Sequence, residues 1–289
     1  MKKKLILGTV QFGLNYGVAN KTGCIGNEHA RSILEFASAN NIGMLDTAIA
    51  YGDSERTLGG LGVDGWRIIS KLPSVPDMCD DVYSWVKNQV KCSIRNLRIS
   101  QLDGILLHRP DQLLEKQGRQ IYSALSKIRE DGLAKRIGIS IYSPDQLEKL
   151  FELMDFDIVQ APLSIFDRRM ISSGWATRLR ENGVEFHARS IFLQGLLLMP
   201  PINRPKYFNR WQSLFSKWDD WLSINNIHPL AACLSYAILN QEVNKVVIGV
   251  DGLKHLKEIT EALNCKPIEI PSHIQSQDVE LLNPAFWNL

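Results

Sequence analysis

The stretch LDTAIAYGDSE, residues 45–55, places an ionisable aspartate where a buried strand ends and a tyrosine on the turn that follows. Leu45 is typical of the end of a buried strand, and the ionisable Asp46 follows it directly. Tyr51 and Gly52 come next, in a pattern that indicates a turn. A carboxylate beside a buried strand needs a partner, because an unpaired buried charge is strongly unfavourable. We therefore expect the rest of the chain to supply a cation close to this aspartate.

The stretch is part of a pattern in which short runs rich in Ile and Val alternate with longer helical segments. Strands are predicted at 4–10, 42–47, 66–72, 102–108, 134–140, 157–163, 184–190 and 245–250. Helices are predicted at 27–40, 54–62, 79–98, 110–131, from 144 onward, and at 167–182, 207–226, 229–240 and 252–263. Apolar strands with helical crossovers favour parallel pairing, and eight such units predict a single-domain (β/α)8 TIM barrel over 1–289.

A doubly wound sheet is the alternative architecture, and it would carry a glycine-rich phosphate loop after an early strand. The spacing G-x-G-x-x-G does occur, in the segment GLGVDG at 60–65. A short helix precedes this segment and a strand follows it, so no helix N-terminus is available to hold a pyrophosphate. We interpret the glycines as a loop, and the barrel remains the prediction.

Composition argues against several classes of partner. The chain is 45% hydrophobic and 22% charged with a net charge of +2, so no basic excess indicates nucleic acid. No apolar run approaches the ~20 residues of a membrane-spanning helix, and the basic start MKKK does not resemble a targeting signal. The five cysteines show no C-x-x-C spacing, so we expect free thiols in a reducing cytoplasm and no metal site.

Polar residues follow three consecutive strands at the face where all strand ends of a barrel meet. Asp46 ends the second strand, and Tyr51 lies on the loop beyond it. Lys71 and His108 end the third and fourth strands. Neighbouring strands lie ~4.8 Å apart, so these side chains are expected to converge. Each residue alone is typical of a cap, a turn or a solvated surface, but their combination on adjacent strand ends predicts a site.

These residue types together can donate a proton to an oxygen that gains negative charge. A phenol has a pKa of ~10, which is high for an acid at neutral pH, and a neighbouring ammonium lowers it. An aspartate keeps a buried ammonium charged, and a histidine can orient a substrate oxygen by hydrogen bonding. A carbonyl oxygen is one example of such an oxygen, because it gains negative charge when hydride reaches its carbon.

The motifs LDTAIAYGDSE, IISK, ILLHRP and GISIYS resemble those of the aldo/keto reductase family, NAD(P)H-dependent carbonyl reductases built on a (β/α)8 barrel. The matching segments run in order from LGTVQFG to VVIGVDGLKHLKE, which is nearly the whole chain. The resemblance implies that Tyr51 is the general acid and that His108 orients the carbonyl. It also implies that Asp46 and Lys71 tune the acid.

The same resemblance implies a nicotinamide cofactor across the barrel mouth, with NADP(H) expected in preference to NAD(H). The implied contacts are Ser140 and Gln160 for the nicotinamide amide, Arg189, Ser190, Phe192 and Gly195 after strand seven, and Gly249, Asp251 and His255 at the adenosine end.

Three positions depart from the family pattern. Ile141 follows the expected amide-binding serine, which removes one amide contact. Arg189 stands where an aromatic residue commonly stacks on the nicotinamide. Asp251 stands where a basic residue often meets the 2′-phosphate of NADP, so weak discrimination between NADPH and NADH is expected.

The expected partner is a small carbonyl substrate, and the sequence leaves the oligomeric state open, including a monomer. The alternative function is a barrel that binds the cofactor and senses redox state with little turnover. A barrel isomerase or hydrolase would need a metal cluster or paired carboxylates on the rim, which the sequence lacks. Asn15 and Tyr16 are candidates for the substrate pocket, and the aromatic segment 207–222 is predicted to cover the barrel.

Overall fold

The computed structural model describes residues 1–263 and 267–289. The strands are β1 (Leu5–Gly8), β2 (Met44–Asp46), β3 (Arg67–Leu72), β4 (Gly104–Leu107), β5 (Ile137–Ser140), β6 (Ile158–Pro162), β7 (Glu185–Arg189) and β8 (Lys245–Ile248). They pair in parallel in chain order, and β1 also pairs with β8, so the sheet closes into a barrel. The predicted (β/α)8 barrel is confirmed. Of the cysteines, Cys265 lies outside the described residues.

Helices follow the strands and cover the outside of the barrel. They are α1 (Asn27–Ala39), α2 (Ser54–Leu61), α3 (Val82–Leu97), α4 (Gly118–Glu130), α5 (Leu147–Leu153), α6 (Arg169–Ser172), α7 (Trp175–Glu181), α8 (Gln212–Ile224), α9 (Pro229–Ile238), α10 (Leu253–Ala262) and α11 (Val279–Leu282). Within the described part of the chain, no helix has both the length and the apolar character needed to cross a membrane.

Two predicted helices are interrupted by non-helical residues, and the one predicted over 207–226 begins as a 3-10 segment, Lys206–Trp211, that continues directly into α8. The helix predicted over 110–131 separates into a 3-10 segment, Pro110–Leu114, and α4. The break lies where Gly118 approaches the preceding segment so closely that a Cβ would stand 1.9 Å from the Leu113 carbonyl oxygen. The helix predicted over 167–182 separates into α6 and α7 at Gly174, whose φ of +79° is left-handed. Both breaks therefore depend on backbone contacts and conformations that apolar periodicity does not report.

The barrel interior contains an apolar layer beneath a polar one. The apolar layer consists of Ile6, Met44, Ile69, Leu106 and Ile158, with Val247 packed against it. Side chains along a strand alternate between its two faces, so the second residue after an inward-facing one also points inward. On four strands that next inward position is polar, and these residues are Asp46, Lys71, His108 and Gln160. These four polar side chains therefore form a layer directly above the apolar layer of the barrel interior.

The aromatic segment predicted to cover the barrel does so. Phe208, Phe215 and Trp218 are all at most 3% exposed. The indole N–H of Trp218 donates to the Leu197 carbonyl oxygen at 3.2 Å, so its polar atom is also satisfied. This surface of α8 and the segment before it is therefore part of the core.

We expect Trp218→Ala to lower the free energy of unfolding by ~3–5 kcal/mol, because it leaves a large cavity beneath α8. Urea denaturation measures the loss. Ile224→Ala at the end of the same helix is the control, since Ile224 is 82% exposed and should change stability by less than ~0.5 kcal/mol. Equal losses in the two variants would contradict the assignment of this helix to the core.

Candidate active site

The turn that carries Tyr51 packs backbone against backbone onto the loop after β1. A Cβ on Gly13 would lie 2.0 Å from the Tyr51 carbonyl oxygen, and one on Gly52 would lie 2.5 Å from the Gly13 carbonyl oxygen. Gly52 also has a left-handed φ of +56°. The Ser54 hydroxyl donates to the Thr9 carbonyl oxygen at 2.9 Å and ties the turn to β1. These contacts explain why a glycine follows the tyrosine.

Lys71 is the buried cation that the sequence predicts beside Asp46. Its side chain is 1% exposed, and its Nζ lies 2.5 Å from Asp46 Oδ1 and 2.9 Å from the Thr47 carbonyl oxygen. Burial lowers the pKa of Lys71, but the charge of Asp46, the neighbouring Tyr51 and the hydrogen bond to Asp46 together outweigh burial, and the pKa is raised. The charged Nζ lies 5.1 Å from the centroid of the Tyr51 ring. The predicted meeting of these three side chains is therefore present.

His108 packs edge-on against the same ring, with 5.9 Å between the two ring centroids and an interplanar angle of 77°. Burial, followed by the nearby charges of Lys71 and Arg189, lowers the pKa of His108 to about 4. The imidazole is consequently neutral at neutral pH. A neutral imidazole has one N–H, which can be donated to an oxygen in the cavity.

Gln160 extends the polar layer from the ion pair towards β5. Its Nε2 donates to Asp46 Oδ2 at 2.7 Å, which satisfies the second carboxylate oxygen. Its Oε1 is buried and has no hydrogen-bond partner among the described residues. Ser140 is its register partner across the β5–β6 pair. An unpaired buried acceptor is costly, so this position fits a ligand that carries an N–H group.

The polar layer faces a cavity of about 660 Å³. The predicted catalytic residues all line it, namely Asp46, Tyr51, Lys71 and His108. The predicted cofactor contacts also all line it, namely Ser140, Gln160, Arg189, Ser190, Phe192, Gly195, Gly249, Asp251 and His255. Among the residues that the structure describes, no cluster of three or more His, Cys, Asp or Glu side chains is suited to a metal ion.

Several side chains line the cavity that were not named as site residues from the sequence: Gln11, Tyr142, Gln194, Asn203 and Glu258. Two of them, Gln11 and Tyr142, lie within three residues of a strand end, and that position is the signal that could have found them. The others lie on a long loop and on α10, where no local pattern marks them. Tyr16 lines the cavity as expected, whereas its neighbour Asn15 does not.

Carboxylates line the cavity beyond β8. Asp251 precedes α10, and its Oδ1 accepts from Gln11 Nε2 at 3.4 Å. Its Oδ2 lies 3.8 Å from His255 Nδ1. Glu258, one turn further along α10, faces the same space. This end of the cavity therefore carries two acidic side chains.

Proteins similar to this chain are known. The model of the aldo/keto reductase family matches residues 4–274. D-threo-aldose 1-dehydrogenase from Pseudomonas sp. is 24% identical, over 92% of this chain and 93% of its own. L-glyceraldehyde 3-phosphate reductase from Escherichia coli is 26% identical, over 60% of this chain and 56% of its own. The solved holo form of an aldo-keto reductase from Bacillus halodurans shares the fold, with a TM-score of 0.74 at 20% identity, covering 98% of this chain and 93% of that one.

We expect His108 to titrate near pH 4, because burial and the nearby cations, Lys71 first among them, disfavour its charged form. NMR of the imidazole carbon-bound protons measures this, with His108→Asn to assign the signal. An unfolded histidine binds its proton at pH ~6.5, so His108 stabilises the fold above that pH and this contribution is lost as pH falls towards 4. A midpoint at the ordinary ~6.5 would contradict the expectation.

Proposed function

The chain belongs to the aldo/keto reductase family, and we propose that it reduces an aldehyde or ketone to an alcohol with a nicotinamide cofactor. The family and the reductase-named relatives support an oxidoreductase acting on small carbonyl compounds. By name, two relatives act on an aldose and on glyceraldehyde 3-phosphate, and both compounds belong to the carbonyl class. The observation that carries the proposal is the buried Asp46–Lys71 pair beside the Tyr51 ring, at the floor of an open cavity.

The residues of the cavity fit a nicotinamide dinucleotide. The unpartnered Oε1 of Gln160 can accept from the amide N–H of the nicotinamide, and the Ser140 hydroxyl is its neighbour. When bound in its reduced form, the cofactor supplies the hydride for the carbonyl carbon. We propose that the loop after β7 lies along the pyrophosphate, through Ser190, Phe192 and Gly195, and that Gly249, Asp251 and His255 adjoin the adenosine.

Tyr51 is the proposed proton donor to the substrate oxygen. The ammonium of Lys71 beside its ring stabilises the phenolate that proton donation leaves, and Asp46 keeps that ammonium charged. His108 is neutral, so it can donate an N–H to the same oxygen and orient the carbonyl without competing for the proton. Each of these side chains thus has one separate task at the reacting oxygen.

We propose that the protein accepts both NADPH and NADH with weak discrimination, while NADP(H) remains the expectation from the family. Asp251 and Glu258 repel a 2′-phosphate but can accept from a ribose hydroxyl. Lys254, with an 85% exposed side chain, lies 3.8 Å from a Glu258 oxygen and offsets part of this repulsion. Lys257 packs over the Phe36 ring, 5.8 Å from its centroid. Acidic and basic groups therefore oppose each other at the adenosine end.

Tyr51→Phe should abolish reduction while leaving cofactor affinity nearly unchanged, because it removes the proton donor alone. The rate is expected to fall by ~10²–10⁴-fold in cofactor oxidation assays with a panel of aldehydes and ketones.

Fluorescence titration measures cofactor binding by the same variant. Tyr122→Phe is the control, since the Tyr122 hydroxyl bonds the Asp155 backbone away from the cavity. Turnover by Tyr51→Phe at the wild-type rate would exclude this role for Tyr51. If the wild-type protein binds the cofactor but reduces none of the carbonyl compounds, the redox-sensing alternative is favoured.

Asp251→Asn should raise the affinity for NADPH relative to NADH by about fivefold, because it removes the repulsion between a partly solvated carboxylate and the 2′-phosphate, worth ~1 kcal/mol. Isothermal titration of both cofactors measures the ratio of dissociation constants. Glu261→Gln removes a charge from α10 outside the cavity and should leave that ratio unchanged. A wild-type preference of ~10³-fold for NADPH, worth ~4 kcal/mol, would contradict weak discrimination.

A further inference from the structure

The guanidinium of Arg189 is held across the end of β6. Arg189 is the last residue of β7, and its Nη2 donates to the Ile141 carbonyl oxygen just beyond β5 at 2.9 Å. Its Cζ lies 4.5 Å from the centroid of the Tyr142 ring. Since β6 lies between β5 and β7, the guanidinium spans the strand that carries Gln160. It therefore lies beside the amide-binding position and is anchored there by the segment after β5.

Within the described part of the chain, no carboxylate forms a salt bridge with Arg189. Its anchoring contacts are made with a carbonyl oxygen, an aromatic ring and, at 3.3 Å, the Ser190 hydroxyl, and all three groups are neutral. The carboxylate of Asp46 is already shared between Lys71 and Gln160. The charge of Arg189 also disfavours the charged forms of both His108 and Lys71, although the pKa of Lys71 is raised overall by Asp46 and Tyr51, so the field of Arg189 reaches the polar layer of the barrel. The charge of Arg189 is therefore added to that of Lys71 beside a carboxylate, Asp46, whose oxygens already have partners.

We propose that Arg189 makes the site bind the reduced form of the nicotinamide cofactor in preference to the oxidised form. The inference rests on the proposed function, because it requires that a nicotinamide ring occupies the cavity. The reduced ring is neutral and the oxidised ring is cationic. A guanidinium fixed beside the ring repels the oxidised form and leaves the reduced form unaffected.

A preference for the reduced ring would change how long the oxidised cofactor stays bound after each reduction. The equilibrium between carbonyl and alcohol in solution is unchanged by any protein residue. A weaker hold on the oxidised ring speeds its release after reduction and limits its inhibition of the next turnover. Arg189 would thus commit the protein to the direction of carbonyl reduction under conditions where both cofactor forms are present.

The test titrates both redox forms of one cofactor into the wild type, Arg189→Gln and Arg189→Lys. The measured quantity is the ratio of the oxidised to the reduced dissociation constant. We expect this ratio to fall about fivefold in Arg189→Gln, for a unit charge partly screened by solvent at the barrel mouth, and to be largely retained in Arg189→Lys. Arg180→Gln is the control for net charge, because Arg180 pairs with Glu242 away from the cavity and should leave the ratio unchanged.

An unchanged ratio in Arg189→Gln, with both affinities weakened alike, would overturn the inference, because the guanidinium would then bind a phosphate. A wild type that binds neither form would overturn the proposed function and the inference with it, which is a different result. Salt provides a second measurement. Both cofactor forms carry the same phosphates, so raising ionic strength should lower the ratio more in the wild type than in Arg189→Gln, and an equal salt effect in the two proteins would contradict the inference.

Discussion

The buried ammonium of Lys71 is the constraint around which the mouth of this barrel is organised. A charge with a 1% exposed side chain is tolerated only with a close counter-ion whose own oxygens are satisfied. Asp46 is that counter-ion, and Gln160 satisfies its second oxygen. The ends of β2, β3 and β6 are consequently fixed relative to one another. The ring of Tyr51 lies beside the Lys71 ammonium. The turn that carries Tyr51 is held on its other side by the close backbone contacts of Gly13 and Gly52.

The register of the barrel makes this arrangement stable. The apolar layer of Met44, Ile69 and their neighbours closes the interior below, and the next inward position on four of the strands carries a polar group. A slip of one residue in any of these four strands would exchange its inward and outward side chains, and would place a polar group among the outer helices. Packing of the apolar layer therefore also sets the position of the reactive groups. The same side chains that exclude water below the ion pair strengthen its electrostatic effect on the cavity above.

The charged side chains that line the cavity differ from one wall to another. Lys71 and Arg189 lie near the carboxylate of Asp46, the wall beyond β8 carries the carboxylates of Asp251 and Glu258, and Lys21 adds a cation from the loop after β1. A nicotinamide dinucleotide presents different groups to these walls, a ring whose charge depends on its redox state and a ribose with or without a phosphate. In the binding mode that we propose, redox state and cofactor type would therefore be recognised by separate residues, Arg189 for the first and Asp251 with Glu258 for the second.

Apolar runs and their spacing were enough to predict the eight strands, the closed barrel and the approach of Asp46, Tyr51, Lys71 and His108. These features follow from local periodicity and from the fact that parallel strand ends share a face. The breaks at Gly118 and Gly174 were not predicted, because they depend on backbone approach and conformation. Nor were the places of Gln11 and Glu258 on the cavity wall, or the anchoring of Arg189 on Tyr142. Those arise from contacts between segments far apart in the chain, and local patterns carry no record of such contacts until the barrel closes.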